Sequence, residues 1–205
     1  MTQYLETIED VKKRTIQLDF LYIDLNTCTR CVGTDENLEV AIESVADVLA
    51  VTNTDLLVNK VLIETEEQAQ TYQFVSSPTI RVNGQDIALE FRESQCDSCT
   101  DLCGCDDGTD CREWVYQDEV YQQAPVGMIV EAILSEIYAG ASNPAAKSAY
   151  EVPQNLKNFF TSKDVQETAV SNSCCSETKQ ATCCEPSEKS DCCGSAHESG
   201  SCGCQ

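Results

Sequence analysis

Two thiols separated by two residues, Cys28 and Cys31 in "NTCTRCVGTDE", follow directly on an apolar run. Such a pair supports two chemistries. In a redox couple, Cys28 stands exposed at a strand end and attacks a disulfide. Cys31, about one turn deeper, then resolves the mixed disulfide. Unpaired N–H groups at a helix start, together with Arg30, would hold Cys28 as the thiolate that such attack needs. In a clamp, the same two sulfurs hold a thiophilic ion. Gly33, and Thr34 as an N-cap ahead of Asp35 and Glu36, place the regular helix after the cysteines and lean toward the clamp.

Five further thiols, Cys96, Cys99, Cys103, Cys105 and Cys111, crowd the segment "CDSCTDLCGCDDGTDC". Four thiolates close a tetrahedral Zn2+ site, and a C-x-x-C followed by another pair is a common way to supply them. Five candidates for four positions leave the ligand set open. Another metal or an iron–sulfur cluster, and a metal-free loop that is disulfide-stapled or simply thiol-rich, are the alternatives. The interleaved aspartates lack the loop and closing glutamate of a calcium site.

Near the C-terminus, Cys174 and Cys175, Cys183 and Cys184, and Cys192 and Cys193 form adjacent pairs nine residues apart, with Cys202 and Cys204 almost on the next beat. Adjacent cysteines close a strained disulfide, but as thiolates they are two soft donors on one flexible chain. Copper(I), mercury(II), cadmium(II), zinc(II) and trivalent arsenic all suit them. The only histidine, His197, lies in this tail. A metal site in the body must therefore rely on thiolates, and a Cys-His catalytic pair there is impossible.

The chain of 205 residues carries a formal charge of -22, of which -18 lies in residues 1–150. Such a field repels phosphate backbones and anionic lipid, which argues against nucleic acid and membrane surfaces as partners. The N-terminus lacks the apolar run of a signal peptide, and no stretch approaches the roughly 18 apolar residues of a membrane span. A cytoplasmic location is expected, where 15 cysteines are thiols serving metal binding or redox chemistry before any disulfide framework.

The elements that must position these thiols follow from periodicity. After a polar lead-in at 1–14, "TIQLDFLYIDL" at 15–25 reads as a buried strand. Leu38, Ala41, Ile42, Val45, Val48 and Leu49 then make one helical stripe ending near Ala50. A second strand covers 57–64. Thr65-Glu66-Glu67-Gln68 has the form of a capping box that opens a short helix to about Tyr72. Asn83-Gly84 predicts a hairpin, with Ile80 and Val82 facing Ile87, Leu89 and Phe91. The cysteine-rich insertion occupies 93–123 and ends in a small hairpin. The last helix starts at Pro125, buries Val126, Ile129, Val130, Ile133 and Ile137, and stops at Gly140. Residues 141–172 read as a linker with one docking turn through Leu156, Phe159 and Phe160, and 173–205 as a disordered tail. Short crossovers make the first strands parallel and the hairpin adds an antiparallel pair. The expected fold is α/β, a mixed four-stranded sheet flanked by helices.

That element order, the C-x-x-C after the first long strand and the segment "SSPTIRVNG" together resemble the thioredoxin and glutaredoxin superfamily over residues 15–91 and 125–138. Residues 15–140 as a whole resemble uncharacterised thioredoxin-like bacterial and archaeal proteins with the same insertion. The resemblance implies a thioredoxin-like sheet, Cys28 and Cys31 as exchange thiols, and Pro78 as the cis-proline that shapes a partner groove beside them. The paired tail cysteines resemble those of arsenite-binding metallochaperones and other metal-resistance proteins, which implies arsenic, mercury or copper as cargo. Three readings stay open. One is a monomeric thiol protein that binds or traffics soft metals or metalloids. The second is a thiol-disulfide oxidoreductase acting on a partner protein or an oxidised metal species. The third is a zinc-stabilised interaction module.

Overall fold

A computed structural model describes residues 13–105, 108–139 and 150–171. The lead-in up to residue 12 and the cysteine-rich tail lie outside the described residues. The chain runs β1 (Arg14–Tyr22), α1 (Thr29–Val51), β2 (Thr54–Leu62), α2 (Glu66–Tyr72), β3 (Thr79–Val82), β4 (Gln85–Asp86), β5 (Arg92–Gln95), α3 (Asp97–Cys103), β6 (Asp110–Tyr116), β7 (Glu119–Tyr121), α4 (Val126–Ala139) and α5 (Gln154–Ser171).

β1 is the centre of the molecule because its sequence is apolar on both faces where both are covered. Ile16, Leu18 and Phe20 alternate into one layer, while Leu21 and Ile23 enter the layer on the opposite face. It pairs in parallel with β2 along its whole length and antiparallel with β3, which turns back into β4. The four-stranded order is β2-β1-β3-β4, a mixed sheet compatible with a thioredoxin-like fold. A second sheet, β5-β6-β7, belongs to the insertion.

One layer is aliphatic. Leu38, Ala41, Val45 and Leu49 of α1 and Met128, Ile129, Ile133 and Ile137 of α4 cover Ile16, Leu18 and Phe20, with Trp114 of β6 fully enclosed among them. The other layer joins Leu21, Ile23, Ile63 and Phe74 to all seven cysteines of the body and to Val152, Leu156, Phe159 and Phe160. Each large apolar side chain so enclosed contributes roughly 1.5–3 kcal/mol.

The capping box closes as expected, with the Thr65 hydroxyl accepting from the Gln68 N–H and the Gln68 side chain accepting from the Glu64 N–H. Asn83 and Gly84 both take positive φ, as the tight hairpin requires.

Three expectations are corrected. Helix α1 begins at Thr29 with Cys28 as N-cap, so the C-x-x-C lies in its first turn rather than ahead of it. Gly33 and Thr34 mark a close contact inside the helix. The Gln123 side chain passes over Gly33 where a Cβ would stand, and the buried Thr34 hydroxyl accepts from the Ala124 N–H at 3.2 Å.

The hairpin's return arm, β4, is two residues long. Asp86 turns inward to Arg112 and accepts from the Ala88 N–H, which breaks the alternation and leaves Leu89 and Phe91 exposed. The segment read as a linker with one docking turn contains the 18-residue helix α5, so α4 is not the last helix. Leu156, Phe159 and Phe160 do dock, and they do so against the cysteine layer.

Candidate metal centre

Cys28 is delivered by the loop between β1 and α1. The Asp24 carboxylate accepts from the backbone N–H groups of Asn26, Thr27 and Cys28, the last at 2.9 Å, and so fixes the turn that presents the thiol. Its role is local capping. Cys31 follows three residues later in the first turn of α1.

The insertion repeats this arrangement. β5 and β6 pair with Ser94 opposite Cys111 and Gln95 opposite Asp110, which carries the chain straight to Cys96, the N-cap of α3. The Cys96 N–H donates to Thr109 O at 2.8 Å, and Cys99 lies in the first turn of α3. The Thr29 N–H donates to the Ser98 hydroxyl at 3.4 Å, so the two helix starts meet.

Between them four sulfurs converge. The Sγ atoms of Cys28, Cys96, Cys99 and Cys111 all lie within 4.8 Å of one another. Cys99 stands 3.1 Å from Cys28 and 3.2 Å from Cys111. None of the four is more than 3% exposed. Thiolates about 2.3 Å from a tetrahedral ion have edges of a little under 4 Å, so the group matches a closed four-thiolate ion site.

Hydrogen bonds run through the group from Cys111 to Cys99 to Cys28. Thiol donors, Cys111 first and then Cys31, Cys96 and Cys99, push Cys28 far below the ordinary thiol range. The Cys111 thiol likewise lowers Cys96 to about 6. Cys111 is pushed up by its bonds to Cys28, Cys96 and Cys99 and by burial. Cys99 is drawn down by Cys111, but Cys28, Cys96 and burial outweigh this and raise it. A cation held by the four sulfurs would displace the protons that such thiols carry.

Cys31 stays outside the four-sulfur group. Its Sγ lies 3.2 Å from the Ser77 hydroxyl, and Cys28 together with burial pushes its thiol up. Cys28 and Cys31 are both 0% exposed, so the exposed attacking thiol expected from the sequence is absent from the described fold. Cys103 and Cys105 are joined to each other as a disulfide at the end of α3, which departs from the expectation of thiols throughout and agrees, for these two, with the disulfide-stapled alternative for the loop. Of the five insertion cysteines, then, three reach the centre and two do not. Cys174, Cys175, Cys183, Cys184, Cys192, Cys193, Cys202 and Cys204 lie outside the described residues.

The Ser77–Pro78 bond is cis, and Pro78 is buried. The carbonyl of Ser77 accepts from the Arg112 N–H at 2.8 Å, and its hydroxyl accepts from the Ile23 N–H at 3.2 Å. The backbone beside Pro78, where the resemblance implies a partner groove, is thus paired at Ser77 with β6 of the chain's own insertion. Arg30 was expected to act on Cys28. Its buried guanidinium donates instead to Cys111 O (2.9 Å), Arg112 O (3.2 Å), Ser94 Oγ (2.9 Å) and Gln95 O (2.7 Å), which clasps β5 and β6 to α1.

Sequence reasoning placed the zinc ligands within the insertion and missed Cys28 as their partner. The available signal was repetition, the same C-x-x-C spacing at Cys28/Cys31 and again at Cys96/Cys99.

These features define a thiol-rich α/β protein whose mixed sheet carries a buried four-cysteine site capable of holding a metal ion. The chain belongs to the family described as Domain of unknown function (DUF2703), whose model matches residues 16–133, a span that includes all four cysteines of the site. No curated protein and no solved structure matches the chain.

Proposed function

We propose that this protein handles thiophilic metal or metalloid ions and holds one of them between Cys28, Cys96, Cys99 and Cys111. One observation carries the reading: the first thiol of the C-x-x-C shares a buried four-sulfur group with three insertion cysteines, within 4.8 Å of one another. The all-sulfur donor set favours zinc(II), copper(I), cadmium(II), mercury(II) or arsenite over magnesium or calcium. Zinc(II) is the resident ion that best fits four donors, with trivalent arsenic and mercury(II) as cargo bound by the tail thiols. Four protein ligands leave no open position, so the bound ion serves structure, storage or transfer rather than hydrolysis. The acidic surface and the thiol count favour ions, rather than nucleic acid, as partners in the cytoplasm.

The test uses the full chain with the eight tail cysteines replaced by serine, which preserves α5. Purified without oxygen and titrated with zinc, it binds one equivalent with release of protons, and Cys99→Ser loses that equivalent. Equal uptake by the two proteins would overturn the assignment. Dithiol exchange is the second reading, supported by Cys31 one turn from Cys28 at the start of α1. It requires that Cys28→Ser abolish disulfide reduction and that Cys31→Ser trap a mixed disulfide.

A further inference from the structure

Cys28 faces two fates. It is one of four sulfurs in the candidate metal centre, and it is also the N-cap thiol one helical turn from Cys31, which no member of that centre replaces. Cys31 is fully buried, is not disulfide-bonded, and is held against the Ser77 hydroxyl beside the same site. A fifth sulfur that adds nothing to a complete four-sulfur site, yet borders it, needs a separate account. Positions three apart at a helix start lie on one face, so joining Cys28 to Cys31 asks for side-chain rotation and no rearrangement of the sheet.

We propose that Cys31 is the release element of the metal centre: a peroxide oxidant joins Cys28 to Cys31, and the bound ion, left with three of its four donors, is discharged. This rests on the metal-centre reading above and adds its regulation. In the step, the Cys28 thiolate and the Cys31 thiol give up two electrons and one proton as their S–S bond forms. The peroxide O–O bond breaks, and the two electrons, the Cys31 proton and one solvent proton convert hydrogen peroxide to two waters. Cys96, Cys99 and Cys111 then regain protons as the ion departs. A dithiol reductant reverses the S–S bond and restores the site. Complete burial of both sulfurs selects a small oxidant over a protein disulfide, since thiol oxidation follows access as well as thiolate character.

The experiment takes the full-length, tail-serine protein loaded with one equivalent of zinc and exposes it to hydrogen peroxide in the presence of a chromogenic chelator. Zinc release should track the loss of two free thiols. Trypsin cleaves after Arg30, between the two cysteines, so the Cys28–Cys31 bond is read as a cross-link between two peptides. Cys31→Ser, with Cys31→Ala as a second variant, should bind zinc as the parent does and release it at least 10-fold more slowly. Equal release rates, or release without the cross-link, would overturn the proposal while leaving the metal centre standing. Failure of the reduced parent to bind zinc would overturn the metal-centre reading and this one with it.

Discussion

The two faces of the central sheet are built from different chemistry. The layer of α1 and α4 over Ile16, Leu18 and Phe20 is aliphatic. The opposite layer, under α5, gathers Cys28, Cys31, Cys96, Cys99, Cys103, Cys105 and Cys111 around Leu21, Ile23 and Phe74. The first layer is complete as folded, because its stability comes from apolar burial and needs no ligand. The second contains four sulfurs drawn together from three parts of the chain, so whatever they bind adds its free energy to the fold. Only one half of the protein should therefore respond to metal.

The largest effect should separate the halves at once. Phe20→Ala empties the aliphatic layer and should cost about 3–5 kcal/mol in urea unfolding. The loss should be the same with and without zinc. Cys111→Ser should do the reverse. In the tail-serine background, zinc at about 100 times its dissociation constant should stabilise the parent by about 2.7 kcal/mol, and the variant should show none of this. A zinc response in Cys111→Ser would merge the two layers into one.

Arg30→Met tests the clasp between them. Losing four hydrogen bonds from one buried cation should cost about 2 kcal/mol in the metal-free protein. The cost should shrink on metal loading, since an ion held by Cys28, Cys96, Cys99 and Cys111 would itself tie the start of α1 to the insertion.

The smallest effect comes from Glu93, whose carboxyl burial pushes up and whose Oε1 has no partner. A carboxyl raised in the fold is stabilising while protonated, and that contribution is lost as pH rises through the folded value. Glu93→Gln should therefore be nearly neutral at about pH 3 and should gain stability over the parent by about pH 7. A gain at low pH instead would reverse the sign and remove burial as its cause.

Much of the fold was legible. The stripe from Leu38 to Leu49, the box at Thr65 and the turn at Asn83 each report a local period or a local hydrogen bond, and local physics survives tertiary packing. The start of α1 was misplaced because Gly33 and Thr34 look like a boundary until Gln123 and Ala124 are packed on them. The reach of α5 was missed because the residues after Phe160, "TSKDVQETAVS", are mostly polar and show no apolar stripe at helical spacing. Leu89 and Phe91 were placed on a strand that Asp86, turned to Arg112, ends early.

For the site, the sequence by itself determined that metal chemistry in the body must use thiolates, since its single histidine lies in the tail and seven cysteines, two C-x-x-C pairs among them, lie in the body. Spacing of three residues settles only which sulfurs share a turn. Which turns meet was decided by tertiary structure: the β5–β6 register that sets Ser94 opposite Cys111, the contact of Thr29 with Ser98, and the Arg30 clasp that brings α1 to the insertion. Cys28 and Cys99 are 71 residues apart in the chain and 3.1 Å apart in space, and no local rule spans that separation.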